Sequence, residues 1–354
     1  MSLLHQYGWY PHFEQHFISY QAQGLSAGRV TAIQGFKHTL ISSAGPVEAM
    51  LSGALLNSRE SWELPKAGDW VAFKGYEDQG IILEVLPRLN ELSRKQPGKS
   101  HEKQVIAANI DAALILQGLD RDFNLMRLQR YLQQVSQCNI QPIVILNKKD
   151  LVDDPLSYEQ QVQALGYQCP VILSSALNPS GLKEWAAQYL LPGRTYALLG
   201  SSGVGKSTLL NALLGAPLQQ EGAVSTANSK GKHTTTSRQL AALPNGSMII
   251  DSPGMREFGL TLEEDAVVVS HHPQIMALAA QCRFGDCTHQ HEPGCAVVTA
   301  VKNGDLPELV YRSYLKLLRE QYHYQANATE KKRVEKQFGR ISKQVNAHRK
   351  NRKY

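Results

Sequence analysis

A stretch near the middle of the chain fits the G-x-x-x-x-G-K-[ST] pattern of a phosphate-binding loop at every position. A strand-like run, TYALL (195–199), precedes it, and a helical pattern, STLLNALLG (207–215), follows it. Glycines let backbone N–H groups converge on phosphate oxygens, and a helix N-terminus adds partial positive charge. In such loops the lysine reaches the β- and γ-phosphates, and the serine hydroxyl binds Mg²⁺. The predicted phosphate site comprises Gly200, Ser201, Ser202, Gly203, Val204, Gly205, Lys206, Ser207 and Thr208.

A second segment, Asn147-Lys148-Lys149-Asp150, could select guanine. A carboxylate at Asp150 can accept hydrogen bonds from guanine N1–H and the 2-amino group, and adenine offers neither donor in that geometry. Lys148 could lie along the base, and Asn147 could brace neighbouring loops. The four-residue match is weak alone, because a strand-end turn rich in Lys and Asp would look similar. The strand pattern that ends in Ser174-Ser175-Ala176 adds a backbone N–H for guanine O6.

A third segment, DSPG (251–254), follows the apolar run SMII. It predicts Asp251 near Mg²⁺ and the Gly254 N–H near a γ-phosphate. The polar segment SKGKHTTTSR (229–238) is typical of a switch loop whose threonine closes on Mg²⁺, and the choice among Thr234–Thr236 stays open. Many GTPases have a glutamine that orients water directly after the glycine of the DxxG motif. Here Met255 follows Gly254 and cannot orient water. Either hydrolysis is simply slow, or another group takes over, and His233 is the nearest candidate.

The elements that position these segments alternate strand and helix from about residue 112 to 215, as in a mostly parallel α/β sheet. The base segments precede the phosphate loop, which reverses their order in ordinary GTPases. A ligand site made of strand-end loops depends on the sheet and not on chain order. The sequence therefore predicts a circularly permuted P-loop α/β GTPase domain over residues 105–260.

The flanking regions have different patterns. Residues 25–92 contain five short strand patterns separated by turn residues, which suit an OB-type β-barrel, although an SH3-like barrel would look much the same. Residues 1–24 are assigned to an N-terminal extension and the polar residues 93–104 to a linker. Residues 261–354 are mostly helical and end in a basic tail. The whole chain is predicted to be multidomain.

Four side chains in the C-terminal region have the spacing of a metal site. Three thiolates and one imidazole within a short segment suit tetrahedral Zn²⁺, and nothing in the segment suggests an open coordination position. We predict one structural zinc, with His291 as a spare imidazole. The proposed ligands are Cys282, Cys287, His289 and Cys295.

The composition and hydropathy of the chain indicate the cellular compartment in which the protein is expected. No apolar run is long enough to span a membrane, and the N-terminus lacks the pattern of a signal peptide. Five cysteines in 354 residues do not indicate a disulfide scaffold, so a reducing cytoplasm is expected. Residues 331–354 contain ten Lys or Arg against one acid, which favours a polyanionic partner unless the tail is merely a solvated helix end.

The combination of barrel, permuted GTPase and Cys/His cluster resembles the RsgA family, ribosome small subunit-dependent GTPases. The segments GKHTTTSRQL, DSPGMREFGL and CRFGDCTHQHEPGC carry the likeness, which covers roughly residues 25–320. It implies GTP hydrolysis as a timer in late 30S maturation, stimulation by that subunit, contacts with 16S rRNA, Mg²⁺ with GTP, and a monomer. It also favours His289 over His291 and supports the role of His233. Residues 1–28 lack the Lys and Arg of several members, as a divergent second copy would.

Two other classes of function stay open at this stage. One is an RNA-docking assembly factor whose nucleotide only sets its shape, with little turnover of its own. The other is a P-loop kinase, which would need a small-molecule acceptor pocket and has no use for residues 147–150.

Overall fold

The computed structural model describes residues 3–76, 79–95, 103–215, 239–251 and 273–308, with further positions up to 318. The chain divides into two compact units, Met1–Thr261 and Leu262–Tyr354. The first unit contains N-terminal helices, a barrel and an α/β sheet, and the second contains the Cys/His cluster. Within the described ranges, no helix has the length and apolar character needed to cross a membrane.

The barrel has five strands, and their hydrogen-bonding order is that of an OB fold. They are β1 (Ser26–Gln34), β2 (Lys37–Ser42), β3 (Gly45–Leu51), β4 (Trp70–Tyr76) and β5 (Gln79–Val85). The order is β1-β2-β3-β5-β4, and β4 returns to β1 and closes the barrel. Only β3 and β5 run parallel among these neighbours. The predicted OB-type barrel is confirmed.

The N-terminal extension is helical and packs on the barrel. It forms α1 (Leu3–Gln6) and α2 (Pro11–Ala22), and proline at the first helical position is well suited to start α2. Phe13 and Phe17 lie one turn apart on α2 and are buried against Trp9 and Trp70. The rings of Trp9 and Trp70 meet edge to face at 4.7 Å between centroids. This segment is therefore part of the barrel's packing.

A short helix, α3 (Gly53–Ser58), lies between β3 and β4 in the chain. The hydroxyl of Ser52 accepts a hydrogen bond from the Leu55 N–H at 3.1 Å and caps the helix. Leu55 then enters the barrel core, whose other buried members are Val30, Leu40, Ala49, Val71, Phe73 and Ile82.

The predicted linker over residues 93–104 begins and ends in strand residues, and its role as a linker stays a prediction. Strand β6 (Glu91–Lys95) pairs antiparallel with β7 (Lys103–Ala108), and residues 96–102 lie outside the described part of the chain. The segment has the composition of a loop, but strand pairing depends on a partner that composition does not register. The domain boundaries themselves stay predictions.

The α/β sheet contains six strands in the order β10-β9-β8-β11-β13-β12. They are β8 (Ala112–Gly118), β9 (Gln141–Asn147), β10 (Val171–Leu173), β11 (Thr195–Leu199), β12 (Gln239–Ala242) and β13 (Met248–Asp251). All but β12 run parallel, and every residue of β8 is buried, as expected of a central parallel strand. The accompanying helices are α4 (Leu125–Gln137), α5 (Pro155–Gln163), α6 (Pro179–Tyr189) and α7 (Lys206–Leu214).

The barrel is joined to the α/β sheet by backbone pairing and by buried polar contacts. Ala32 of β1 pairs with Gln239 of β12, so the two form one continuous sheet. The guanidinium of Arg29 is 1% exposed and donates to the carbonyls of Tyr7, Gly68 and Asn109. Burial lowers the pKa of Arg29 to about 10. Asn109 lies in the short connection between β7 and β8, so these bonds hold the barrel at the amino ends of the sheet strands.

A second polar contact fixes the same end of the sheet. Asp111 receives hydrogen bonds from Tyr10 Oη at 3.1 Å, from the Thr195 N–H at 2.8 Å and from Arg194 Nη1 at 2.6 Å. The three donors come from the N-terminal segment, from β11 and from the turn before β11. The opposite, carboxyl end of the sheet is the end that carries the predicted nucleotide site.

The second unit contains α8 (Pro273–Ala279) and α9 (Ala296–Asn303), with the Cys/His segment between them in the chain. Val297 and Ala300 are buried on α9, and Gly304 ends the helix in the left-handed conformation with φ of 84°. Left-handed glycine is a common helix C-terminal signal.

Candidate functional site

The phosphate loop joins β11 to α7 and has the backbone that its sequence predicted. Gly200, Gly203 and Gly205 all have positive φ, at 144°, 84° and 97°. A Cβ atom at Gly200 would lie 2.5 Å from the Leu116 carbonyl oxygen, and one at Gly205 would lie 2.5 Å from the amide nitrogen of Asn147. Both positions therefore require glycine for conformation and for space.

The side chain of Lys206 folds back onto this loop. Its Nζ donates to the carbonyl oxygens of Gly200 at 2.8 Å and Ser201 at 2.6 Å. An ammonium group placed among loop carbonyls can exchange them for phosphate oxygens, which are stronger, charged acceptors. The ammonium group of Lys206 therefore lies within the loop, and its contact with the β- and γ-phosphates stays a prediction.

Asn147 connects the base segments to the phosphate loop. It ends β9, is 1% exposed, and its amide donates to the Val204 carbonyl at 2.8 Å. Its Oδ1 accepts from the Ala176 N–H at 3.1 Å. One buried side chain therefore links three loops that are far apart in sequence.

Lys148 reaches the phosphate loop from the same turn. Its backbone is left-handed, with φ of 64°, which is uncommon for a non-glycine residue and is often found at functional sites. Its Nζ donates to the Gly203 carbonyl at 2.7 Å and to Asp120 Oδ2 at 2.6 Å. The side chain consequently spans the gap between β9 and the phosphate loop.

The remaining base-segment residues lie around this turn. Asp150 is exposed and has no hydrogen-bond partner among the described residues, so its carboxylate is available as an acceptor. Ser174 and Ser175 are buried after β10, and the Lys149 N–H donates to the Ser174 carbonyl at 3.1 Å. Lys149 and both serines also line a cavity of about 300 Å³ beside α6.

A loop that the sequence reasoning missed adds two acids to the site. It follows β8 and contains Asp120, the partner of Lys148, and Asp122, which accepts a hydrogen bond from the Ser201 hydroxyl. Asp122 also forms an ion pair with Arg127 at 2.7 Å. The sequence GLDRD (118–122) follows a buried strand and so lies at the same sheet edge as the base segment. That position could have identified the loop as part of the site.

The Cys/His segment brings all four predicted metal ligands together. One ligand atom from each lies within 4.8 Å of every other. The distances are 3.6 Å and 3.5 Å from His289 Nδ1 to the sulfurs of Cys282 and Cys295, and 3.9 Å between those sulfurs. Tetrahedral Zn²⁺ with its usual bond lengths would separate such ligands by about 3.5–3.8 Å. The donor set and its spacing fit one zinc ion.

Contacts outside the ligand set hold this segment in shape. Glu292 accepts hydrogen bonds from the N–H groups of Thr288, Gln290 and His291 at 2.9–3.1 Å. The Tyr311 hydroxyl donates to the His289 carbonyl at 2.7 Å. Hydrogen bonds to the residues around a metal site hold the ligands in orientation, and no spacing pattern in the sequence indicates these contacts.

Comparisons with known proteins decide the family. A family model described as RsgA GTPase matches residues 85–261. The chain is 42% identical over 325 residues to the small ribosomal subunit biogenesis GTPase RsgA of Opitutus terrae, covering 89% of this chain and 88% of that protein.

The chain belongs to the RsgA GTPase family.

Two solved structures agree with this assignment. The crystal structure of YjeQ from Thermotoga maritima has a TM-score of 0.63 at 25% identity and covers 84% of this chain and 99% of its own. YloQ, described as a circularly permuted GTPase, has a TM-score of 0.61 at 23% identity and covers 86% and 97%. The second likeness concerns the fold alone. The predicted permuted GTPase fold is confirmed.

The structure describes part of the site expected for an RsgA-family GTPase. Asp251 is described, half-buried at the carboxyl end of β13, beside Leu198 of β11. His233, Gly254, Met255 and Thr234–Thr236 lie outside the described residues, as does the basic tail over 331–354. Their assigned roles stay predictions.

Proposed function

We propose that this protein hydrolyses GTP and acts as a timer in late maturation of the 30S ribosomal subunit. The observation that carries the GTP assignment is the bridge made by Asn147, which holds the base segments against the phosphate loop. Family membership supports the GTPase activity. The subunit is proposed because relatives such as the Opitutus terrae protein bear the name of small ribosomal subunit biogenesis GTPases.

Each segment of the site has a proposed task in nucleotide binding. Asp150 would accept from the guanine N1–H and 2-amino group, Lys148 would lie along the base, and a backbone N–H of the segment 174–176 would face O6. The backbone N–H groups of residues 200–208 would surround the phosphates, and Lys206 would leave its loop carbonyls for phosphate oxygens. Lys149, Ser174 and Ser175 would shape the base pocket.

Hydrolysis requires positioned water and charge stabilisation, with no covalent nucleophile. Ser207 and Asp251 would hold Mg²⁺, which neutralises charge developing on the phosphates. Ser207 lies in the first turn of α7 and Asp251 ends the neighbouring strand β13. Their hydroxyl and carboxylate oxygens are ligands that Mg²⁺ prefers. Lys206 would stabilise the same charge. We assign the orientation of water to His233, because Met255 has no group that can do it, and contact with the γ-phosphate to Gly254.

The C-terminal region would contact the ribosomal subunit. One zinc held by the four ligands would fix the short α8–α9 unit, and the ten basic residues of 331–354 would approach 16S rRNA by charge. We further propose a monomer that acts in the cytoplasm, where ribosomal subunits mature.

The decisive experiment measures GTP turnover alone and with added 30S, 50S or 70S particles. The proposal predicts slow basal hydrolysis that rises with 30S and not with 50S. Equal rates in all four reactions would favour a docking factor whose nucleotide sets only its shape. GTP and ATP binding measured in parallel separates a GTPase from a P-loop kinase, because Asp150 should exclude adenine.

A further inference from the structure

The loop after β8 contributes carboxylates to a site that must bind a polyanion. Asp120 and Asp122 both lie at the carboxyl edge of the sheet, and both contact residues assigned to the nucleotide site. Bare carboxylates near phosphates would repel the ligand, so their presence calls for an explanation other than phosphate binding.

We propose that Asp120 is a positioning residue for the guanine nucleotide, because it fixes the side chain of Lys148 along the base. This inference rests on the proposed function. Lys148 Nζ lies between Asp120 Oδ2 at 2.6 Å and the Gly203 carbonyl at 2.7 Å. With its amine held at both points, the aliphatic stem crosses between the base segment and the phosphate loop in one orientation.

The ion pair is partly exposed, which limits but does not remove its effect. The side chains of Lys148 and Asp120 retain 27% and 28% of their exposure. Burial alone would raise the pKa of Asp120, but the hydrogen bonds from Lys148 and from the Asp122 N–H outweigh it, and the pKa lies below its usual value. Asp120 is therefore ionised at neutral pH and holds the Lys148 side chain in its orientation.

A free lysine would lose rotamer freedom when it orders against a base, and this loss opposes binding. Because Asp120 orders Lys148 before the nucleotide binds, the loss of rotamer freedom no longer weakens binding. The effect should appear equally for GDP and GTP, because the base is common to both. It should not appear in the chemical step, because the base takes no part in phosphoryl transfer.

Asp122 provides a comparison within the same loop. Asp122 accepts a hydrogen bond from the Ser201 hydroxyl and forms an ion pair with Arg127. It therefore supports the phosphate loop and does not contact Lys148. A change at Asp122 should therefore affect nucleotide binding whether or not Lys148 is present. This difference makes Asp122 a matched neighbour for the test.

The test is a double-mutant cycle read by the dissociation constants of fluorescent GDP and of a non-hydrolysable GTP analogue. Asp120→Ala should weaken both about fivefold, the upper range for a partly exposed ion pair, with KM raised and kcat unchanged. Asp120→Glu should recover part of the affinity. In a Lys148→Ala background, Asp120→Ala should have less than a twofold further effect, whereas Asp122→Ala should keep its full effect.

Asp153→Asn provides an exposed control carboxylate on the same domain and should leave affinity unchanged. If the alanine variant folds poorly, the near-isosteric Asp120→Asn variant takes its place in the test, and thermal melting checks its folding. The inference is overturned if Asp120→Asn has no effect, or if Asp120→Ala weakens binding equally with and without Lys148. If Lys148→Ala and Asp150→Asn also leave GDP affinity unchanged, the proposed guanine site fails together with the inference. If those two weaken binding and Asp120→Asn does not, only the inference fails.

Discussion

Asn147 shows how one side chain can assemble a site from distant segments. Its amide nitrogen donates to the buried Val204 carbonyl, and its Oδ1 accepts from the partly buried Ala176 N–H. A buried polar group that loses its partner pays its desolvation cost in full. The residue therefore stabilises the loops and aligns them at the same time.

We predict that Asn147→Ala lowers the free energy of unfolding by about 2 kcal/mol and weakens GDP binding at least tenfold, since the Val204 carbonyl and Ala176 N–H lose their partners. Asn147→Asp should retain the acceptor for Ala176 but lose the donor to Val204, and so give an intermediate result. Denaturant unfolding and GDP titration measure the two effects. Wild-type stability in Asn147→Ala would contradict the bridging role.

Asp150 should determine base choice. We predict that Asp150→Asn weakens GTP binding by about 100-fold and favours xanthosine triphosphate, because the asparagine amide can donate to the 2-oxo group of xanthine. Affinities for both nucleotides, measured by competition, check this. Because Asp150 is exposed, the substitution should leave the melting temperature unchanged. Unchanged preference for GTP would remove Asp150 from the base site.

At the scale of elements, α2 shows that an apparent extension can belong to a core. Phe13 is 1% exposed and Ile18 is 63% exposed on the same helix. Phe13 lies 5.8 Å from Trp70 between ring centroids, so the helix covers the first residue of β4. The helix therefore stabilises the barrel through aromatic packing.

We predict that Phe13→Ala destabilises the protein by about 3–4 kcal/mol, because it removes a buried ring and leaves a cavity. Ile18→Ala is the matched control on the exposed face and should change stability by no more than about 0.5 kcal/mol. Chemical denaturation followed by tryptophan fluorescence measures both. Equal effects of the two substitutions would mean that α2 does not pack as described.

At the scale of the whole molecule, two units have different sources of stability. Residues up to Thr261 contain the barrel and sheet cores, whereas the unit from Leu262 contains short helices around four metal-ligand side chains. A small unit of this kind gains folding energy from metal binding. Loss of zinc should therefore act on one unit.

We predict that Cys287→Ser, or a strong chelator, removes one zinc per chain and increases hydrogen exchange over residues 273–308, with exchange over 26–85 unchanged. Cys169→Ser is the control, because burial raises the pKa of Cys169 to about 11 and keeps it a neutral thiol outside the cluster. Elemental analysis and exchange mass spectrometry give the readouts. Full zinc content in Cys287→Ser would exclude it as a ligand.

Residue type and local spacing were enough to predict several features of this protein. The backbone of the phosphate loop was predictable, because Gly200, Gly203 and Gly205 all have positive φ and a Cβ atom at Gly200 or Gly205 would clash with a neighbour. The barrel strands, the alternation of strand and helix, and the Cys/His ligand set follow from local periodicity or spacing in the same way. The circular permutation was also predictable from the order of the motifs, because the carboxyl ends of parallel strands lie at one edge of a sheet whatever their order in the chain.

Contacts between residues far apart in the chain depend on how the elements pack. Asp120 faces Lys148 and Asp111 joins Tyr10 to Arg194, and neither contact has a local pattern in the sequence. An aspartate after a strand looks the same whether it faces solvent or a lysine from another loop. The difference is made by strand order and packing, which bring segments separated by tens of residues within hydrogen-bond distance.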